Sequence, residues 1–195
     1  MLGLKLPTDK RWAELAKSDL RELMTDHAWC EQKAASNAIH LVVHNPDKPD
    51  LVDAMLELAK EELEHFRLVH EKIKNRGWHL GPERKDDYVN KLYNFILKGH
   101  HDKKVSLADR LLFAAMIEAR SCERFKLLHE AVDDIELRQF YYELMASEAG
   151  HYTLFLEFAR KYGPDKEWVN QRWKEWLDFE AALIADYGKK QTIHG

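Results

Sequence analysis

Glu62 with His65, and again Glu148 with His151, form two copies of Glu-x-x-His, and each copy follows a lone glutamate at nearly the same distance. Glu31 precedes Glu62 by 31 residues, and Glu118 precedes Glu148 by 30. Carboxylate oxygens and imidazole nitrogens in this ratio are the donors of a divalent transition-metal site. Residues three apart on a helix project from one face. Each Glu/His pair can therefore grip one metal, while glutamates from two further helices complete the cage. The spacing predicts a carboxylate-bridged two-metal site and requires all six residues to point inward.

Charge supports the same reading. Unpaired carboxylates buried in a helical core would each cost several kcal/mol, and their mutual repulsion would add to that. Two divalent cations balance four ionised glutamates when both histidines are neutral. The donor set suits iron or manganese, and ligand type alone leaves zinc admissible. In a chain that is 33% charged, a single Glu-x-x-His is ordinarily a solvated helix face. Two copies with two matched partners are not. Glu118, rather than Glu123, is the second lone ligand, because Glu31 to Glu118 spans 87 residues and Glu62 to Glu148 spans 86. Glu123 would lie about 140° around the helix from Glu118. Glu61 and Glu64 flank the inward pair and face outward or support it. His27, one turn before Glu31, reads as a satisfied core histidine.

Long helices must position these residues. Asp19 with Glu22 starts one that runs to about His44, where Asn45, Pro46 and Pro49 break the pattern. A second runs from about Asp50 to Arg76 and stops at Gly77; a third is expected from Ser106 to about Val132; a fourth runs from Asp133 or Asp134 to Tyr162, before Gly163 and Pro164. Apolar residues recur at steps of three and four on each, in register with the six ligands: Met24, His27, Glu31, Ala38; Met55, Glu62, His65, Val69; Leu111, Glu118, Phe125; Tyr141, Glu148, His151, Phe155. The expected fold class is all-α, a four-helix bundle. A long crossover joins helices two and three and carries a short helical pattern at about Asp86 to Lys98. A short leading helix at Thr8 to Lys17 and a C-terminal helix at about 165–187, rich in tryptophan, lie outside the bundle core of about 19–162. The tail 188–195 is expected to fray.

The chain has 195 residues, 45% of them hydrophobic, with 8 Gly and 5 Pro, which fits one helical domain over 1–195. No run of 18 apolar residues and no signal-peptide pattern occur, so a soluble, cytoplasmic protein is expected. Cys30 and Cys122 are the only cysteines, which excludes a rubredoxin or zinc-ribbon module. A net charge of −4 gives no global attraction for nucleic acid. Local basic groups remain: Lys98, His100, His101, Lys103 and Lys104 in one loop, and Arg120, Arg124 and Lys126 on helix three.

From about Asp19 to Tyr162 the chain resembles the ferritin-like di-iron carboxylate superfamily. More specifically, HAWCEQKAAS (27–36), ELAKEELEHF (57–66), IEARSCERF (117–125) and ASEAGHY (146–152) resemble the tRNA 2-methylthio-isopentenyl-adenosine hydroxylase family (MiaE). The resemblance covers nearly the whole chain. It implies that Glu31, Glu62, His65, Glu118, Glu148 and His151 bind two non-haem iron ions. It also implies O2-dependent hydroxylation of the isopentenyl group on a modified adenosine beside the tRNA anticodon. Two electrons per turnover must then come from a separate reductase or electron carrier, since the chain has no flavin fingerprint or cysteine cluster. A monomer or small homo-oligomer is expected, with no membrane partner. The alternatives are a ferritin-like peroxidase or oxygen scavenger, iron storage in a shell, and a metal-free structural bundle.

Overall fold

The computed structural model describes residues 2–185 and 193. Its seven helices are α1 (Arg11–Lys17), α2 (Leu20–His44), α3 (Pro49–Asn75), α4 (Asp87–Phe95), α5 (Lys103–Ala131), α6 (Ile135–Tyr162) and α7 (Lys166–Ile184), with no strand among the described residues. The chain packs as two compact units, one of Ser18–Lys85 and Gln191–Ile193, the other of Met1–Lys17, Asp86–Lys190 and His194–Gly195.

The smaller unit is a pair of antiparallel helices. Asp19 caps α2 by accepting from the Glu22 amide at 3.0 Å, as the sequence predicts. At the other end, the Asn45 side chain donates to the Leu41 carbonyl at 2.9 Å. Pro49, at the first position of α3, begins the return helix. That helix ends at Gly77, which is left-handed (φ +71°), and its amide donates to the Lys74 carbonyl at 2.9 Å. Segment 78–85 then lies against α2. The Trp29 indole donates to the Gly81 carbonyl at 2.9 Å, and a Cβ at Gly81 would stand 3.0 Å from Thr25 Cγ2. Ile193 is buried here and donates its amide to Asp26 Oδ2 at 2.7 Å.

The larger unit is organised around α5, which is buried on nearly every side. Small and apolar residues occur on all its faces, so α6 packs along it while α1, α4 and α7 cover the rest. Helix α5 begins three residues earlier than Ser106. Its cap is Asp102, which accepts from the Lys104 amide at 2.8 Å. Asp109, in the second turn of that helix, is a buried hub. It accepts from the Leu97 amide at 2.7 Å, the Arg172 guanidinium at 2.8 Å and the Trp176 indole at 2.8 Å. Asp86, Asp134 and Asp165 cap α4, α6 and α7. At Gly163 the chain passes so close that a Cβ would meet both the Ala159 carbonyl and Val169 at 2.6 Å. The expected leading helix is shorter, beginning at Arg11. The C-terminal helix ends at Ile184, and its expected continuation to Tyr187 and the tail, Ile193 apart, lie outside the described residues.

A second buried network ties the N-terminal segment and α7 to α5. Arg120, wholly buried, donates to Glu180 Oε1 at 2.8 Å and Oε2 at 2.9 Å, to Thr8 Oγ1 at 3.0 Å and to the Leu6 carbonyl at 3.0 Å, and it pairs with Glu123. Tyr88 also donates to Glu180 at 2.9 Å. Burial, with the neighbouring Glu180 carboxylate, pushes the Tyr88 hydroxyl well above its ordinary range.

Candidate metal centre

In the smaller unit, Glu31 on α2 and Glu62 and His65 on α3 bring three ligand atoms within 4.8 Å of one another. In the larger unit, Glu118 on α5 and Glu148 and His151 on α6 do the same. All six side chains are buried: Glu62 is 0% exposed, and His65, the most accessible, is 8% exposed. The inward register expected from the sequence is therefore the register observed within each unit.

The two groups repeat at the level of atoms. His65 Nδ1 lies 3.2 Å from Glu62 Oε2, and His151 Nδ1 lies 3.8 Å from Glu148 Oε2. Two ligands held about 2.1 Å from one ion at bond angles near 90–110° stand roughly 3.0–3.4 Å apart, so these separations are close to those of a shared ion. On the other side of each ring, Nε2 faces a polar side chain one turn back, Glu61 Oε1 at 3.9 Å and Ser147 Oγ at 3.4 Å. The Ser147 hydroxyl can accept from His151 Nε2–H, which leaves the Nδ1 lone pair for a metal, whereas Glu61 lies beyond hydrogen-bond distance of His65. The donors of each group are two carboxylates and one imidazole. One divalent cation per group balances the charge and fits an iron-type site.

The halves differ at one position. His27, fully buried, has Nε2 2.6 Å from Glu31 Oε1. An ionised carboxylate only accepts, so His27 donates and fixes Glu31. The corresponding position four residues before Glu118 is Ala114. His27 occupies the register expected of a core histidine, but the sequence did not reveal its bond to Glu31. Cys122, also on α5, donates to the Met145 carbonyl at 3.2 Å. Burial first, and then the nearby Glu148 and Glu123 carboxylates, push its thiol up to about 12. It is a neutral structural thiol.

Two of the basic residues proposed to face phosphate do not reach solvent. Arg120 and Arg124 are wholly buried, the first in the Glu180 network and the second with its guanidinium 4.7 Å from the centre of the Trp12 ring. Helix α5 has no solvent face at their positions because α1, α4 and α7 cover it. Lys126 remains exposed beside Glu130, and the 98–104 loop is exposed throughout. Glu123, set aside as a ligand, is held by the Thr8 amide and hydroxyl at 2.9 and 2.7 Å.

Helical architecture and ligand groups together define the class, a ferritin-like protein of the di-iron oxygenase type. The structure matches that of "Protein 43 with aldehyde deformylating oxygenase activity" from Synechococcus with a TM-score of 0.89 and 35% identity, covering 98% of this chain and 95% of that one. The chain belongs to the tRNA-(MS[2]IO[6]A)-hydroxylase (MiaE) family, which it matches over residues 2–195. The tRNA 2-(methylsulfanyl)-N(6)-isopentenyladenosine(37) hydroxylase of Pseudomonas putida KT2440 is 40% identical over 164 residues, 84% of this chain and 78% of that protein. The Salmonella typhimurium LT2 protein of the same name is 28% identical, covering 98% and 87%. This is an enzyme of tRNA modification, and membership favours the hydroxylase reading over scavenging or storage. No described helix is long and apolar enough to cross a membrane.

Proposed function

We propose that Glu31, Glu62 and His65 hold one iron ion and Glu118, Glu148 and His151 the other. The enzyme uses them to hydroxylate the isopentenyl group of 2-methylthio-isopentenyl-adenosine in tRNA. The observation that carries this reading is the repeated triad, with each Nδ1 turned to the carboxylate three residues before it and each Nε2 turned to a polar side chain four residues before. Bound iron would supply reduction of O2 and insertion of one oxygen atom into a C–H bond. The overall balance consumes two electrons and two protons and releases water. The electrons come from a separate carrier, because the two cysteines form no disulfide and the sequence holds no cysteine cluster or flavin fingerprint. The residues of the chain orient and exclude. Ser147 sets the His151 tautomer, His27 fixes one carboxylate, and the buried apolar register around the triads keeps bulk water from the ligands. No side chain is required as a proton-transfer catalyst. The site of action is the cytoplasm, where tRNA and reduced carriers are available.

The test is incubation of iron-loaded protein with reductant, labelled O2 and tRNA bearing the modified adenosine, followed by nucleoside mass analysis. One labelled oxygen in the nucleoside is expected. Glu62→Ala and Glu148→Ala should lose both iron and product. Iron-loaded protein that yields no oxygenated nucleoside would refute the activity. Variants that keep their full iron content would refute the ligand assignment.

A further inference from the structure

The larger unit carries three exposed lysines, with half-buried Arg110, that its own carboxylates do not neutralise. Lys98, Lys103, Lys104 and Arg110 have no carboxylate within ion-pair distance among the described residues. Several cations elsewhere are paired, Lys17 with Glu14 at 3.0 Å, Lys33 with Glu83 at 3.4 Å, Lys60 with Glu57 at 2.7 Å, and Arg67 with Glu64 and Glu71, although Lys166 and Lys174 on α7 also have no carboxylate within ion-pair distance among the described residues. Asp102 and Asp109, the two acids nearest in sequence, are otherwise engaged. One caps α5, and the other is buried with Arg172 and Trp176.

An aromatic ring lies beside two of these cations. Tyr93, 42% exposed, has Lys98 Nζ 5.0 Å and the Arg110 guanidinium 5.6 Å from its ring centre. Its inner side is braced edge-on by buried Phe113 at 6.0 Å. The ring is thus fixed in place while much of it remains open to solvent. Lys103 and Lys104 occupy the first turn of α5, which contains no acid. Cations are unfavourable at that end of a helix dipole, so helix stability does not account for them. Cations beside a fixed, exposed ring are what single-stranded and loop RNA requires, phosphate contacts together with a stacking platform. Lys103 lies 15 residues before Glu118 on the same helix, about 22 Å along its axis. That is the reach of roughly six stacked nucleotides.

We infer that the end of α4, the 98–104 loop and the start of α5 form the docking surface for the anticodon arm of the substrate tRNA. Lys98, Lys103, Lys104 and Arg110 contact phosphates, and Tyr93 stacks a base. This inference rests on the tRNA hydroxylase reading and adds to it a binding surface away from the ligands. An acidic electron carrier is the competing partner for such a surface. The exposed ring favours RNA, since stacking would add little to a purely electrostatic protein contact.

The experiment uses the iron-loaded full chain and a fluorescent anticodon stem-loop RNA bearing the modified adenosine, with Kd read by anisotropy across a salt series. Lys103→Glu/Lys104→Glu should weaken binding at least roughly tenfold and lower the salt slope by about 1–2. Tyr93→Ala should weaken it roughly tenfold with the slope unchanged, and Tyr93→Phe should restore it. Lys166→Glu/Lys174→Glu on α7 makes the same charge change elsewhere and should shift Kd less than about threefold. Equal losses from both double variants would overturn the docking surface in favour of net charge alone. Unchanged RNA affinity, with turnover lost only when a protein carrier replaces a chemical reductant, would assign the surface to the carrier and overturn the inference. If the unaltered protein neither bound nor hydroxylated the RNA, the functional reading would fall as well.

Discussion

Removing the imidazole of His27 should weaken one of the two irons and spare the other. His27 lies 2.6 Å from Glu31 and is fully buried, so its donation to the carboxylate is not shared with bulk water. A hydrogen bond to a charged group contributes about 1.5–3 kcal/mol net. At about 1.4 kcal/mol per tenfold, that is roughly a 10- to 150-fold change in affinity. Loss of an outer partner to a metal ligand typically costs about 10- to 100-fold, which agrees. His27→Leu keeps the volume and removes the donor, so about a 30-fold loss is expected, within that range. His27→Gln, which keeps an N–H, should recover part of it. The effect should be confined to the ion bound through Glu31, because Ala114 stands where the other half would need an equivalent donor. Anaerobic Fe(II) titration of the full chain against a chromophoric chelator, fitted to two sites, reads each affinity separately. Equal weakening of both ions, or a shift below about threefold in either, would refute the positioning role.

Glu180→Leu leaves Arg120 buried without its bidentate partner and should cost about 3–5 kcal/mol. In a chain of this length that lowers Tm by about 10 °C, read by far-UV circular dichroism, with iron stoichiometry unchanged. Glu180→Gln keeps one acceptor and should cost about half as much; equal stability of the two variants would contradict the network's role. Cys122 gives a pH signature. Its thiol is held near 12 in the folded chain against an ordinary value of 9.0, so the folded state retains a proton that the unfolded chain releases. The associated stability is complete below pH 9 and lost progressively from there toward 12. Urea midpoints should decline over that range, and Cys122→Ala should make the decline shallower.

The clustering of the six candidate residues was legible because it is written in local spacing. Glu-x-x-His fixes two donors on one helical face, and the apolar steps of α3 and α6 place that face inward. Helix starts were equally legible where an aspartate stands just before an apolar run, as at Asp19, Asp86, Asp134 and Asp165. Asp102 escaped because Lys103 and Lys104 follow it, the wrong charge for a first turn, and Ser106 offered a more conventional start. Arg120 and Arg124 looked like surface cations because the residues that bury them are remote in sequence. Glu180 lies 60 positions from Arg120. No periodicity along α5 reports a partner that distant, and a helix covered on every side shows no polar stripe to mark the exception.

The grip of Arg120 and Glu123 on the N-terminal segment also dictates a schedule. Thr8 leaves the ribosome well before its partner Glu123, which follows 115 positions later. The α2–α3 hairpin needs only neighbouring chain and can form while synthesis continues. Residues 5–17 must stay undocked through that interval, until α5 is complete. Glu180 on α7 joins the same cluster later still, 60 positions after Arg120. A nascent chain stalled before α5 would therefore expose residues 5–17 to proteases that the finished enzyme resists.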